Sequence, residues 1–218
     1  MIKIGITGSN GLIGYHLRVF LQNVENIELK LANRETFKSE DALLKFCEDL
    51  DVIVHLADKN VGADEDIRDI NMNISKSLTT SCDSAASKPH LIFASSTHIK
   101  LNPNAAYSIS KKECSSYLEQ WCKNRESPFT NLVIPHVFGE FGKPFYNSVI
   151  SSFCYQITNN EETKIIKDKE LNLLHAHDVA KGIYNIILEK KTGEQHLEGL
   201  LINVSEARDK LIQLSNSY

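Results

Sequence analysis

Gly8-Ser9-Asn10-Gly11-Leu12-Ile13-Gly14 follows the apolar run Ile2–Thr7 at once and opens a segment of helical period, Leu12–Val24. A strand, a glycine turn and a helix in that order form a cradle for a dinucleotide's phosphates. Gly8 allows the tight turn, Gly11 lets the backbone approach a pyrophosphate, and Gly14 lets the helix pack close to the strand. The helix N-terminus adds free N–H groups and the positive end of its dipole. The spacing is GxxGxxG, and all seven residues, Gly8, Ser9, Asn10, Gly11, Leu12, Ile13 and Gly14, are assigned to cofactor binding.

Working outward, short β-branched runs alternate with longer segments of helical period, the pattern of parallel strands joined by crossover helices. Strands are predicted at Ile2–Thr7, Ile27–Ala32, Val52–Leu56, His90–Ala94 and Asn131–Ile134. Helices are predicted at Leu12–Val24, Asp41–Asp49, Asn71–Ala86 and Tyr107–Asn124. The stretch Arg34–Asp51 holds a helix and no strand, so the sheet lacks a strand that many such domains have. Past Pro135 the pattern changes to an aromatic loop at Val137–Lys143, a helix at Asn147–Thr158 and a hairpin-like Lys164–Leu174. A helix at Val179–Glu189, a strand at Leu200–Val204 and a helix at Ala207–Leu214 complete it. The fold class is α/β, a Rossmann-type doubly wound parallel sheet with a small C-terminal substrate-side subdomain. Residues 1–134 are the dinucleotide-binding core and 135–218 the strand-end loops and subdomain of one continuous unit.

With 218 residues, 42% of them hydrophobic, the chain can bury one sizeable core without staples. Its net charge of -4 comes with no block of like charge, which argues against nucleic acid as a partner. The start carries no signal-peptide pattern and no stretch approaches membrane-spanning length, so a cytoplasmic protein with no membrane association is expected. Cys47, Cys82, Cys114, Cys122 and Cys154 are scattered and form no CxxC pair; they read as reduced packing residues.

Two further signals carry chemistry. The second strand ends in Leu31-Ala32-Asn33-Arg34, with no carboxylate for a ribose hydroxyl and an arginine able to pair with a 2′-phosphate. NADP(H) is therefore favoured over NAD(H), with Arg34 as its contact. Tyr107-Ser108-Ile109-Ser110-Lys111 places a phenol and an ammonium one helical turn apart, where the lysine lowers the tyrosine pKa from about 10. The strand end Ala94-Ser95-Ser96-Thr97 comes before it, and a hydroxyl there can bond the same substrate oxygen. The catalytic candidates are Ser96, Tyr107 and Lys111.

These motifs, with Asp51-Val52-Ile53-Val54-His55-Leu56-Ala57, resemble in order those of the extended short-chain dehydrogenases/reductases that act on nucleotide sugars, the NAD-dependent epimerase/dehydratase family. The resemblance covers about residues 1–215. It implies that Ser96 orients the substrate, that Tyr107 exchanges the proton, and that Lys111 binds the nicotinamide ribose while tuning Tyr107. It also implies that Leu56 and Ala57 line the cofactor and that Asn73 is a buried helix residue steadying the site. A narrower resemblance lies in Ile134-Pro135-His136-Val137-Phe138-Gly139, Pro144-Phe145-Tyr146-Asn147-Ser148-Val149 and Leu174-His175-Ala176-His177-Asp178-Val179. These are similar to the reductase domain of capsular polysaccharide epimerase/reductases, which reduce 4-keto-6-deoxy UDP-amino sugars and carry an added cupin domain for epimerisation. By that resemblance Pro135, His136 and Val137 also touch the cofactor, while Ser96, Thr97, His136, Lys143 and Asn147 touch the substrate. Three departures bear on substrate identity: His136 stands for the family's Asn, Lys143 for its Arg before Pro144, and Val133 for its Arg near Ile134.

The partner expected is a small-molecule nucleotide sugar. Thr97-His98-Ile99 stands where a dehydratase of the superfamily keeps its acid/base pair, which disfavours dehydration and leaves ketone reduction as the best match. A C4 epimerase with tightly bound NAD, or a non-catalytic NADP(H)-binding module, are the alternatives. His175 and His177 have no third ligand near them in sequence and read as flanking Asp178, a helix cap, so no metal is expected. Trp121 reads as core, while Phe138, Phe141, Phe145 and Tyr146 could pack or stack on a base or sugar. The resemblance makes a homodimer possible, paired through the helix of Tyr107 with Tyr117, Leu118 and Trp121 on its face.

Overall fold

The computed structural model describes residues 1–217. The chain begins β1 (Ile2–Thr7), α1 (Leu12–Gln22), β2 (Ile27–Ala32), α2 (Glu40–Cys47), β3 (Val52–His55) and α3 (Asp64–Ser84). It continues through β4 (His90–Ser96), α4 (His98–Leu101), α5 (Ala106–Asn124), β5 (Phe129–Ile134), β6 (His136–Phe138) and α6 (Val149–Thr158). β7 (Glu170–His175), α7 (Ala176–Glu189), β8 (Gly193–His196), β9 (Leu200–Asn203) and α8 (Val204–Ser215) follow. The main sheet runs β2-β1-β3-β4-β5-β8 with every neighbouring pair parallel, which makes it the Rossmann-type sheet expected. Between Ala32 and Val52 lie only a 3-10 turn at Thr36–Lys38 and α2, so β2 is an edge strand.

A parallel sheet covered on both faces buries both sides of its strands, and here the alternation of side chains sorts them into two cores. Ile4 and Ile6 of β1, Val54 of β3 and Ile92 of β4 pack with Leu17 and Leu21 of α1 and with Val179 and Ile183 of α7. The intervening Ile53, Leu91 and Phe93 face the other way, against Phe46 of α2, Leu78 of α3 and Leu118 of α5. Gly5 opens onto that second face, where a Cβ would lie 2.5 Å from Leu50 Cδ1 and 2.8 Å from Phe46 Cζ. A third cluster joins Ile150 and Phe153 of α6 to Leu171, Leu173, Ile202, Val204 and Ala207.

Several sequence expectations are corrected here. The stretch Lys164–Leu174 is not a hairpin: β7 pairs in parallel with β6 and antiparallel with β9, a three-stranded sheet assembled from distant segments. α3 begins at Asp64, two turns ahead of Asn71, because Asp64, Glu65 and Asp66 favour the helix N-terminus although they show no apolar period. β8, Gly-Glu-Gln-His, has no apolar residue to announce it and joins the sheet by backbone pairing to Thr130–Val133. Residues beyond 134 therefore contribute to both sheets, with β8 completing the main one and α7 packing on its face. Leu118, expected on an intersubunit face, is wholly buried in the core. Trp121 packs on that core and donates from Nε1 to Asp83 at 3.2 Å.

Candidate active site

The glycine turn has the build its sequence implies. Gly8 has φ +66°, and a Cβ there would lie 2.8 Å from Ala57 N, so the turn and the end of β3 are in backbone contact. Thr7 Oγ1 accepts the N–H groups of Leu56 and Ala57, each at 3.1 Å, and stands 2.7 Å from His55 Nδ1. α1 starts after Gly11 with no side-chain cap and no acidic residue in its first turn, and Asn10 and Gly11 are exposed above it. Uncapped N–H groups, a positive helix end and a surface free of side-chain bulk fit a pyrophosphate. Ser9 is buried, its hydroxyl donating to Ala32 O at 3.3 Å, so it braces the turn from below. Leu12 and Ile13 are half-buried.

Arg34 projects from the loop after β2 and is exposed; among the described residues it joins no ion pair. Its neighbour Glu35 is engaged by Lys38 at 2.8 Å. Asn33 Oδ1 accepts from the backbone N–H of Glu35 at 2.9 Å and of Thr36 at 3.3 Å, which holds the loop in shape.

The other half of the site forms where β3 and β4 end against α5. Lys111 is buried, and its ammonium donates to Ala94 O at 2.6 Å and pairs with Asp58 Oδ2 at 2.8 Å. Tyr107 donates its hydroxyl to the same Asp58 oxygen at 3.3 Å, and Lys111 Nζ lies 5.7 Å from the centre of its ring. Burial pushes the Tyr107 phenol up to about 12; Lys111 pulls it down, and Asp58 adds to the rise. The expectation that Lys111 leaves Tyr107 below its ordinary value is thus corrected, since burial and a neighbouring carboxylate outweigh one ammonium. For Lys111 burial works against the charge, yet its pKa stands above the ordinary value because Asp58 more than compensates.

Ser96 ends β4, half-buried, and its hydroxyl accepts the His98 N–H at 3.2 Å. Thr97 starts the short α4, and Ser108 Oγ donates back to His98 O at 3.1 Å. A cleft of about 490 Å³ opens here, lined by Tyr107, Ser108, His98, Leu101 and Asn102. His98 and His136 meet edge to face at 5.4 Å, and burial lowers the pKa of both. Pro135 is buried, and His136 and Val137 are half-buried at the start of β6. Lys143 and Asn147 are exposed on the loop before α6. That loop is tied to the β3 end by Tyr146, whose hydroxyl donates to Asn60 Oδ1 at 2.7 Å.

Two residues that matter here were missed or misplaced by sequence reasoning. Asp58 gave only a weak signal, an acid directly after the Leu56-Ala57 strand end. The buried residue steadying the site is Asn71, and Asn73 is exposed, because two residues along a helix rotate a side chain through more than half a turn. Asn71 Oδ1 accepts Lys59 N at 2.6 Å, while its Nδ2 donates to Lys59 O and to Ser110 Oγ, both at 2.9 Å. His175, and not Asp178, caps α7 by accepting from His177 N; Asp178 lies in the first turn and pairs with Lys181. Among the described residues no group of three or more His, Cys, Asp or Glu side chains is arranged to hold a metal, and no helix is long and apolar enough to cross a membrane.

Comparison with known proteins bears on the fold and the family. A curated relative, the UDP-2-acetamido-2,6-beta-L-arabino-hexul-4-ose reductase of Pseudomonas aeruginosa, is 26% identical over 99% of this chain and 58% of its own length. The capsular polysaccharide assembling protein CapF of Staphylococcus aureus superposes with a TM-score of 0.84 at 25% identity, over 99% of this chain and 58% of that one. The UDP-glucose 4-epimerase of Thermotoga maritima gives a TM-score of 0.85 at 19% identity, over 99% and 83% of the two chains, a likeness of fold. The chain thus spans less than two thirds of the length of the reductase and of CapF. The model of the NAD dependent epimerase/dehydratase family matches residues 4–204, almost the whole sequence, and the chain belongs to that family.

Proposed function

We propose that this protein is a cytoplasmic NADP(H)-dependent reductase of a nucleotide-linked 4-keto-6-deoxy sugar, serving surface polysaccharide biosynthesis. The observation that carries the reading is the short path from the glycine turn to the proton donor. Gly8 touches the backbone of Leu56 and Ala57, and the next residue, Asp58, holds the buried Lys111 and Tyr107, whose ring lines an open cleft. Ligands of open α/β sheets bind at such strand ends.

A nicotinamide cofactor, when bound at the glycine turn, would supply the hydride that such a reduction needs at the carbonyl carbon. Tyr107 gives the hydroxyl proton to the carbonyl oxygen: the phenol O–H bond breaks, the alcohol O–H bond forms, and solvent returns a proton to the phenolate. Ser96 donates a hydrogen bond to the same oxygen and orients it. Lys111 would hold the cofactor's ribose and balances negative charge on Tyr107. Arg34, exposed and free of an ion-pair partner among the described residues, is the contact proposed for a 2′-phosphate. The family assignment and the names of the reductase and CapF support the class of substrate.

Replacing Tyr107 by Phe removes only the proton donor. The variant is expected to bind NADPH as the wild type does and to lose turnover by about 100-fold or more. Undiminished turnover would overturn the mechanism.

A further inference from the structure

Asp58 is held on both sides. The two residues before it give their N–H groups to Thr7 Oγ1, and the residue after it gives its N–H and its carbonyl to the Asn71 side chain. This double clamp fixes the backbone that aims the Asp58 carboxylate at α5. One of its oxygens then receives both the Lys111 ammonium, at 2.8 Å, and the Tyr107 hydroxyl, at 3.3 Å. A buried ammonium without a partner is costly, and Ala94 O alone offers it no opposite charge.

From this geometry we propose that Asp58 is a positioning residue of the Tyr107–Lys111 pair: its carboxylate anchors the ammonium and retains the phenol hydrogen, so that Tyr107 enters each cycle as a proton donor. The inference rests on the proposed function in taking Tyr107 as the donor. A carboxylate beside a phenol penalises the phenolate by like-charge repulsion and favours the phenol by accepting its hydrogen bond.

The other groups near the pair do not replace it. His55 of β3 is buried and neutral, its pKa lowered to about 3 by burial first and Lys111 second. Cys114 of α5 is a buried thiol whose pKa is raised by burial. Lys59, next along the chain, is paired with Asp66 at 3.2 Å, and His98 of α4, across the cleft, has its pKa lowered by burial. Asp58 is thus the carboxylate that hydrogen-bonds the phenol.

The test reads the tyrosine directly and needs no substrate. The protein has seven tyrosines, so labelling them with carbon-13 at Cζ and comparing wild type with Tyr107→Phe assigns the Tyr107 resonance. In wild type that resonance should keep its phenol position beyond about pH 10, the ordinary tyrosine value. In Asp58→Asn, which keeps the shape and removes the charge, it should move to the phenolate position at least about one pH unit lower. Asp58→Ala serves as a second variant should the amide disturb folding, which circular dichroism reports. A Tyr107 titration unchanged in a folded Asp58 variant would overturn the proposal. Failure of the reductase reading alone would leave this titration shift intact, so the two outcomes are distinguishable.

Discussion

Asn71 Nδ2 donates to Ser110 Oγ at 2.9 Å, which pins α3 to α5 at the residue just before Lys111. The same amide holds Lys59, so a single buried side chain sets the distance between the β3 end and the helix that carries Tyr107.

Asn71→Leu should therefore cost more than a surface change. It strips buried backbone groups of Lys59 and the Ser110 hydroxyl of partners, for an expected loss of about 2–4 kcal/mol. Urea unfolding checks this, and a loss below about 0.5 kcal/mol, the range of neutral surface substitutions, would show that Asn71 is dispensable.

Gly8→Ala tests the turn. A side chain at φ +66° that also meets the Ala57 backbone has to move β1 or β3. Stability should fall by about 1–3 kcal/mol and NADPH affinity by about 10-fold or more, measured by thermal unfolding and by cofactor titration. Wild-type affinity in the variant would separate the turn from cofactor binding.

His55 makes folding acid-sensitive. Unfolded, it takes a proton near pH 6.5; folded, burial delays this to about 3. Below 6.5 the unfolded chain holds more protons, so stability is fully present above that pH and declines as pH falls toward 3. The slope is about 1.4 kcal/mol per pH unit, or about 2 kcal/mol between pH 6.5 and 5. In His55→Asn that part of the decline should vanish. Equal slopes in the two proteins would show that His55 is protonated or exposed when folded.

Arg34→Ala should weaken NADPH by about 10-fold or more while leaving NADH affinity unchanged, because the guanidinium contacts only the 2′-phosphate in this account. Titration of both cofactors checks it, and an unaltered preference would make Arg34 a bystander.

The legible parts of this molecule are the local ones. Ile2–Thr7, the glycine turn and Leu12 onward were readable because strand, turn and helix lie next to one another in sequence, and the alternation of Ile4, Gly5 and Ile6 reports two buried faces. Tyr107 and Lys111 were readable because four residues on a helix make a contact. Asp58 was not, since its role exists only once β3 and α5 meet, 49 residues apart in the case of Tyr107. β6, β8 and the pairing of β7 escaped for a related reason: short or polar strands are held by backbone partners contributed from elsewhere. Asn73 for Asn71 was a shift of two residues, harmless on a strand and decisive on a helix.

The most direct measurement is consumption of NADPH, followed by its absorbance, by the purified protein with a panel of UDP- and dTDP-linked 4-keto-6-deoxy sugars. Oxidation of NADPH is expected with at least one of them, with a 4-hydroxy sugar as product. NADPH bound without oxidation by any member of the panel would contradict the reductase assignment, and failure to bind either nicotinamide cofactor would contradict the site itself.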